Sequence, residues 1–255
     1  MINSKALLFN LILAVTGSAA PGVVLAETDT ATRAKTLIDE MEALYRGDTS
    51  KAKITMRVET PYYQRSMKME SSNLGPEKAF IRILSPKKER GISTLKIDDE
   101  MWNYLPKINK VIKVPPSLMM GSWMGSDFTN DDLVKQTTLT EEYELSMSET
   151  KDTFVVTLIP REQTVTVWGR IEYTVNKAHQ IPVSQNFYDD NGELIRSLLF
   201  KEPKLYQGRF LPSVLEMVPL NKTGHKTVIL YDELDFSPTD VDEDTFSLRN
   251  LRKRF

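Results

Sequence analysis

Residues 98–133 read DDEMWNYLPKINKVIKVPPSLMMGSWMGSDFTNDDL. The stretch opens as a strand carrying Trp102 and Tyr104, turns through 106–109 and returns as a second strand over 110–114. It breaks at Pro115 and Pro116 and then enters a run of Met, Gly and Trp. That run is too apolar for a solvated loop and too rich in glycine for a rigid helix. A pliable apolar segment beside aromatic strands suits the cover of a greasy surface or a greasy ligand.

Outward from this stretch the chain keeps a period of two. Ile54, Met56 and Val58 alternate with Lys53, Thr55 and Arg57, which predicts a strand with one apolar face. Further strands are expected at 78–84, 92–97, 165–175, 194–200 and 226–236, with turns at 73–76, 189–192 and 221–224. One amphipathic helix is expected over 28–46, where Leu37, Ile38, Met41, Leu44 and Tyr45 share a face and Gly47 ends it. A short helix is expected at 130–136, with Asp131 and Asp132 at its positive end. The whole is mainly β (α+β), with about ten or eleven meandering antiparallel strands in a single domain. So large a sheet must curl and have its apolar face covered. The helix at 28–46 and the segment 117–136 are the available covers. Parity within 165–175 places Val165, Val167, Ile171, Tyr173 and Val175 on one face. It points Trp168 away from that face, unless a bulge near Gly169 intervenes.

The N-terminus reads as a targeting segment. Lys5 precedes the apolar run 6–15, small residues follow at 17–20, and Val24-Leu25-Ala26 fits a cleavage site. Cleavage is expected after Ala26, with Ala20 as the alternative. The organisation is therefore a signal peptide over 1–26 and one domain over 27–255. No later stretch approaches about 20 apolar residues. The chain has no cysteine, so disulfides, thiol catalysis and a lipid anchor on cysteine are excluded. Export without cysteine suits a bacterial periplasm.

Composition excludes several function classes. The formal net charge is −2, from 33 basic and 35 acidic residues closely interspersed, unlike the basic stripe of a nucleic-acid binder. There are two histidines, His179 and His225, both beside expected turns and in no motif. No phosphate-binding glycine loop, zinc-protease motif or nucleophile elbow is present. The acidic clusters lack calcium-loop spacing. The reading is therefore not an enzyme, with no metal and no cofactor. Eleven methionines, clustered at Met119, Met120 and Met124, favour an adaptable apolar binding surface.

Three motifs carry a family resemblance. They are Ile-Leu-Ser-Pro-Lys at 83–87 with Gly91 after it, Met-Trp-Asn-Tyr-Leu-Pro at 101–106, and Gly-Ser-Asp-Phe at 125–128 followed by Asp131 and Asp132. With them the chain resembles the LolA-like superfamily, specifically its outer-membrane lipoprotein-sorting proteins. The resemblance covers most of the chain after the signal segment. It implies an unclosed half-barrel whose concave apolar face is covered by helices. It also implies a periplasmic carrier in a Gram-negative cell envelope, moving acyl chains of lipoproteins or other lipid between inner and outer membrane. Implied partners are an inner-membrane exporter of ABC or RND type and an outer-membrane acceptor. The alternative is a non-shuttling lipid-sensing or exporter-associated module. In the carrier reading Met56, Trp102 and Tyr104 belong to the wall. Met119, Met120, Trp123, Met124 and Phe128 plug the hollow, and Gly121 and Gly125 are the hinges of the cover.

Overall fold

The computed structural model describes residues 22–135 and 139–253. The expected signal segment lies, up to residue 21, outside them. Thirteen antiparallel strands form one sheet. They are β1 (Thr49–Glu59), β2 (Gln64–Leu74), β3 (Lys78–Ser85), β4 (Ser93–Ile97), β5 (Glu100–Leu105), β6 (Lys110–Lys113) and β7 (Tyr143–Glu149), followed by β8 (Thr153–Pro160), β9 (Arg170–Asn176), β10 (Ile181–Tyr188), β11 (Leu194–Tyr206), β12 (Arg209–Pro219) and β13 (Lys226–Asp235). Ten or eleven are expected from the pattern. The sheet has thirteen, and even the short strands β4, β5 and β6, of five, six and four residues, pair as full members of it.

The spatial order is β6-β5-β4-β3-β2-β1-β13-β12-β11-β10-β9-β8-β7. Each strand lies beside its sequence neighbour, except that β1 pairs with β13 and that β6 and β7 are left as the two edges. The sheet is thus curled but not closed. Its gap falls between two strands consecutive in the chain, and the segment that joins them is the methionine-rich one. Bulges between Lys53 and Ile54, and between Lys68 and Met69, add local bend and twist.

Register explains the inner face. Met56 lies opposite Met67 on one side and Ile229 on the other, and Ile54 opposite Met69 and Tyr231. The same alternation carries Leu215, Leu198, Tyr173 and Val156 onto this face. Helix α1 (Gly22–Ala43) starts earlier than expected and ends three residues short of Arg46. Gly47, in the left-handed region at φ 59°, follows its last turn and donates to Ala43 O at 3.1 Å. Ala34, Leu37, Ile38 and Met41, at helical spacing, are buried against Tyr143, Val156, Leu158 and Tyr173. Full burial of a leucine, isoleucine or methionine side chain stabilises by about 1.5–3 kcal/mol.

Trp168 corrects the parity argument. Strand β9 begins only at Arg170, so 165–169 is not extended strand. Val165 and Val167 are exposed, while Trp168 turns inward and packs on Phe187 with ring centroids 5.1 Å apart. Gly169 makes this possible: a Cβ there would come within 2.6 Å of Asp189 O.

Part of the outer face is also buried. Phe80, Leu95 and Tyr104 pack with Phe246 and Leu251 of the C-terminal segment. That segment is a 3-10 turn, Glu243–Phe246, and a short helix near the end, Leu248–Leu251. Asp242 and Thr245 close the turn as a reciprocal capping box.

Candidate functional site

Between the curled sheet and its inner covers lies a cavity of about 220 Å³. The sheet contributes Ile54, Met69, Ile81, Tyr173, Leu215 and Tyr231 to its wall. Helix α1 contributes Met41 and Tyr45, and the joining segment contributes Trp123, Phe128 and Leu133. Tyr45 stacks on Tyr231 at 5.0 Å while its hydroxyl donates to Pro212 O at 2.9 Å, so this aromatic wall is fixed at both ends. A cavity of about 150 Å³ takes up benzene, and drug-sized ligands occupy about 300–1,000 Å³. The observed space, at about 220 Å³, lies between these two sizes.

The cover has internal order of its own. Trp123 N donates to Phe128 O at 2.8 Å, Asn130 N to Gly121 O at 3.0 Å and Asp131 N to Met119 O at 2.8 Å. Beside the bond from Arg65 to the Met124 carbonyl, three contacts of its own side chains hold it to the sheet. The Trp123 indole Nε1 donates to Thr94 Oγ1 at 3.2 Å. Asp127 and Thr227 exchange two hydrogen bonds at 2.9 and 2.8 Å. Arg196 grips Asp132 through both terminal nitrogens, at 2.8 and 2.5 Å.

The third contact is the strongest. Asp132 sits in the first turn of α2 (Asn130–Lys135), where it also accepts from Thr129 N at 2.7 Å while its own N–H donates to Thr129 Oγ1 at 3.1 Å. Arg196, only 4% exposed, lies over the rings of Trp168 and Phe187 at 4.5 and 4.2 Å. Bidentate pairing with two aromatic faces is a chemistry that lysine does not reproduce. The Arg196 Nε finds no acceptor among the described residues, so the latch is strong but not fully satisfied.

The far end of the cavity is polar. Glu42, Arg46 and Lys96 line it. Burial pushes the Glu42 carboxyl up to about 8, with Asp39 acting the same way and Arg46 opposing. Burial, with the charge of Arg46 adding to it, brings the Lys96 ammonium down to about 8. Lys96 Nζ donates to Pro76 O at 2.8 Å. Near neutral pH this end therefore carries cationic groups beside a largely protonated carboxyl. Among the described residues no group of three or more His, Asp or Glu is placed to hold a metal ion.

The side chains expected from sequence separate into four sets. Trp123 and Phe128 line the cavity. Met56 is fully buried beside it in the cluster of Met67, Met69 and Trp123, with Met124 packed against that cluster. Met119 packs on Met101, Val114 and Val134, and Met120 is exposed. Trp102 and Tyr104 lie on the outer face, because strand alternation sends Met101 and Asn103 inward and leaves the two aromatics paired in register with Leu95 and Ser93. The two glycines have static reasons. A Cβ at Gly121 would meet Leu118 O at 2.9 Å, and Gly125 has φ +67°. Sequence reasoning missed Arg196 and Lys96. Both were detectable as charged residues at inward parity, Arg196 in step with Leu198 and Phe200, and Lys96 with Thr94.

A family model described as uncharacterized protein matches residues 75–253. Comparison with curated proteins finds no match. Among solved structures, an outer membrane lipoprotein-sorting protein domain from Vibrio parahaemolyticus is 23% identical, covers 88% of this chain and 100% of its own, and superposes with a TM-score of 0.75. A DUF1329 family protein from Desulfovibrio piger is 21% identical over 87% of this chain and 99% of its own, with a TM-score of 0.75. A LolA superfamily protein from Nitrosomonas europaea is 18% identical over 87% and 99%, with a TM-score of 0.69. The shared feature at these identities is the fold, a LolA-like half-barrel.

Proposed function

We propose, for a chain that belongs to the family matched over residues 75–253 and has the LolA-like fold, that it is a periplasmic carrier. It takes up acyl chains of lipoproteins or other lipid beneath its cover and moves them between inner and outer membrane. The observation that carries this reading is a largely apolar cavity of about 220 Å³ closed by a segment held on polar contacts. In this reading residues 1–26 are a signal peptide cleaved after Ala26, and 27–255 are the working domain. The protein binds and releases, and catalyses nothing. An inner-membrane exporter and an outer-membrane acceptor are its partners.

The physical logic is an exchange of burials. Each methylene removed from water stabilises by about 0.8 kcal/mol, so a long chain in a preformed hollow would be held too tightly to release. Here entry displaces Trp123, Phe128 and Leu133 from the wall, and net affinity is the difference between two similar burials. Gly121 and Gly125 take up the change in backbone angle. Opening also parts Asp132 from Arg196. The guanidinium keeps Trp168 and Phe187, which lowers the cost of the open state.

The test uses a lysophospholipid below its micellar concentration, titrated into the variant W102F/W168F, whose single tryptophan is Trp123. A saturable change in emission is expected, together with lipid found by native mass spectrometry on protein purified without detergent. Trp123→Phe in wild type weakens the cover that entry displaces, so it should raise affinity about fivefold while leaving the fold intact by circular dichroism. Neither a saturable change nor bound lipid with any amphiphile would end the carrier reading.

A further inference from the structure

Four turns form a contiguous rim at one end of the half-barrel. Antiparallel pairing brings 60–63, 86–92, 106–109 and 220–225 to the same end of the strands. Contacts knit them together. A Cβ on Gly224 would lie 3.0 Å from Pro61, and one on Gly91 would lie 3.6 Å from Pro106. Arg65 pairs with Glu89 at 3.2 Å. At the tips stand Tyr62, Ile108 and Leu220, which are 93%, 56% and 52% exposed, with Tyr63 beside them. Lys87, Lys88, Lys107 and Lys222 are exposed on the same turns. The carboxylates of this part, Glu59 and Glu89, are held by Lys226 at 3.3 Å and Arg65 at 3.2 Å.

Charge is segregated along the strands. The opposite rim carries Asp48, Glu77, Asp98, Asp99 and Asp152 on its turns against Lys151 and Lys177, the latter paired with Glu149. The acidic tips on the basic rim, Glu162, Asp190 and Glu193, belong to the β8–β9 and β10–β11 turns of the other half of the sheet. A chain of net charge −2 has therefore placed exposed lysines beside its exposed aromatic and aliphatic tips. Tyrosine settles at headgroup level and aliphatic tips enter the acyl boundary, while lysines are drawn to anionic headgroups.

We propose that this rim docks on a bilayer surface rich in anionic lipid. Attraction acts within about a Debye length, roughly 10 Å at 0.1 M salt, and insertion of the tips completes the contact. Arg65 gives docking a route to the cover: it pairs with Glu89 on the rim and donates to the carbonyl of Met124. The coupling to cargo rests on the carrier reading, whereas docking itself does not.

The experiment is co-sedimentation of the purified chain with vesicles of three parts phosphatidylethanolamine to one part phosphatidylglycerol, against phosphatidylcholine vesicles. Binding is expected to the anionic vesicles only and to fall with added salt. The variant K87E/K88E/K107E should bind at least tenfold more weakly, since each lysine near the surface is worth about fivefold. Y62S/I108S should also weaken binding, and Leu205→Ser, at a 69% exposed position of the opposite rim, should leave it unchanged. All these positions are solvent-facing, and circular dichroism verifies the fold. No binding by wild type, equal binding by the charge-reversed variant, or capture only by vesicles that carry a membrane protein each overturns the proposal. If that happens while the lysophospholipid still shifts Trp123 emission, the rim assignment falls alone and the carrier reading stands.

Discussion

Strands β3 to β5 bury apolar side chains on both faces, and the cavity lies on one of them. On the outer face Phe80, Leu95 and Tyr104 meet Phe246 and Leu251, all of them buried. The C-terminal segment reaches them through a turn closed by the Asp242–Thr245 capping box. On the inner face Ile81 and Thr94 lie under Trp123, and space remains. The inner cover is held by Trp123 on Thr94, Asp127 on Thr227 and Asp132 on Arg196. Such contacts fix the distance of the cover from the sheet, whereas interdigitating apolar side chains close that distance to the packing density of an organic crystal. Aromatic content alone therefore does not locate a hollow. The way its cover is attached does.

The largest expected effect breaks the inner attachment. Asp132→Ala removes the partner of a buried guanidinium and should destabilise by about 3–5 kcal/mol in urea denaturation. D132L/R196M should recover much of that stability. A loss below about 1 kcal/mol would mean that the latch does not hold the cover. Next, Leu251→Ala should cost about 2–5 kcal/mol through the void it leaves on the outer face. Affinity for lysophospholipid, read by Trp123 emission, should stay the same. A parallel fall in affinity would show that the two faces are coupled.

The polar end of the cavity adds a dependence on pH. The Glu42 carboxyl is raised by burial from 4.5 to about 8, so between those values the unfolded chain has released a proton that the folded chain keeps. Its contribution is fully present below pH 4.5 and is lost as the pH rises through about 8. Lys96 is lowered to about 8 from 10.5, so its unfavourable contribution is relieved between pH 8 and 10.5. Thermal unfolding from pH 5 to 8 should show stability declining in wild type. Glu42→Gln should flatten that decline, and an unchanged slope would place its origin elsewhere.

Much of the fold was legible in the residues. Ile54, Met56 and Val58 announce a strand with one apolar face, and Leu37, Ile38 and Met41 announce the helix that covers it. Trp168 was misread because its parity was counted through residues that leave the strand, and the close approach of Gly169 to Asp189 O is a tertiary fact. Trp102 and Tyr104 were read as wall because they are large and adjacent to the cover in sequence. Which face of a strand becomes concave depends on how the whole sheet curls, and no local pattern carries that sign. Arg196 lay at inward parity, but its partner is 64 residues away.

By itself, then, the sequence determined the period-two alternation of most strands, the helix, the joining segment rich in methionine and glycine, and the absence of cysteine chemistry. These follow from local periodicity and residue type. The tertiary structure alone decided that β6 and β7 are the open edges, that the joining segment closes over the inner face, and that Arg196 and Asp132 meet. Each depends on the β1–β13 pairing, a contact between the two ends of the sheet-forming chain, and long-range pairing is where a one-dimensional pattern holds no information about distance.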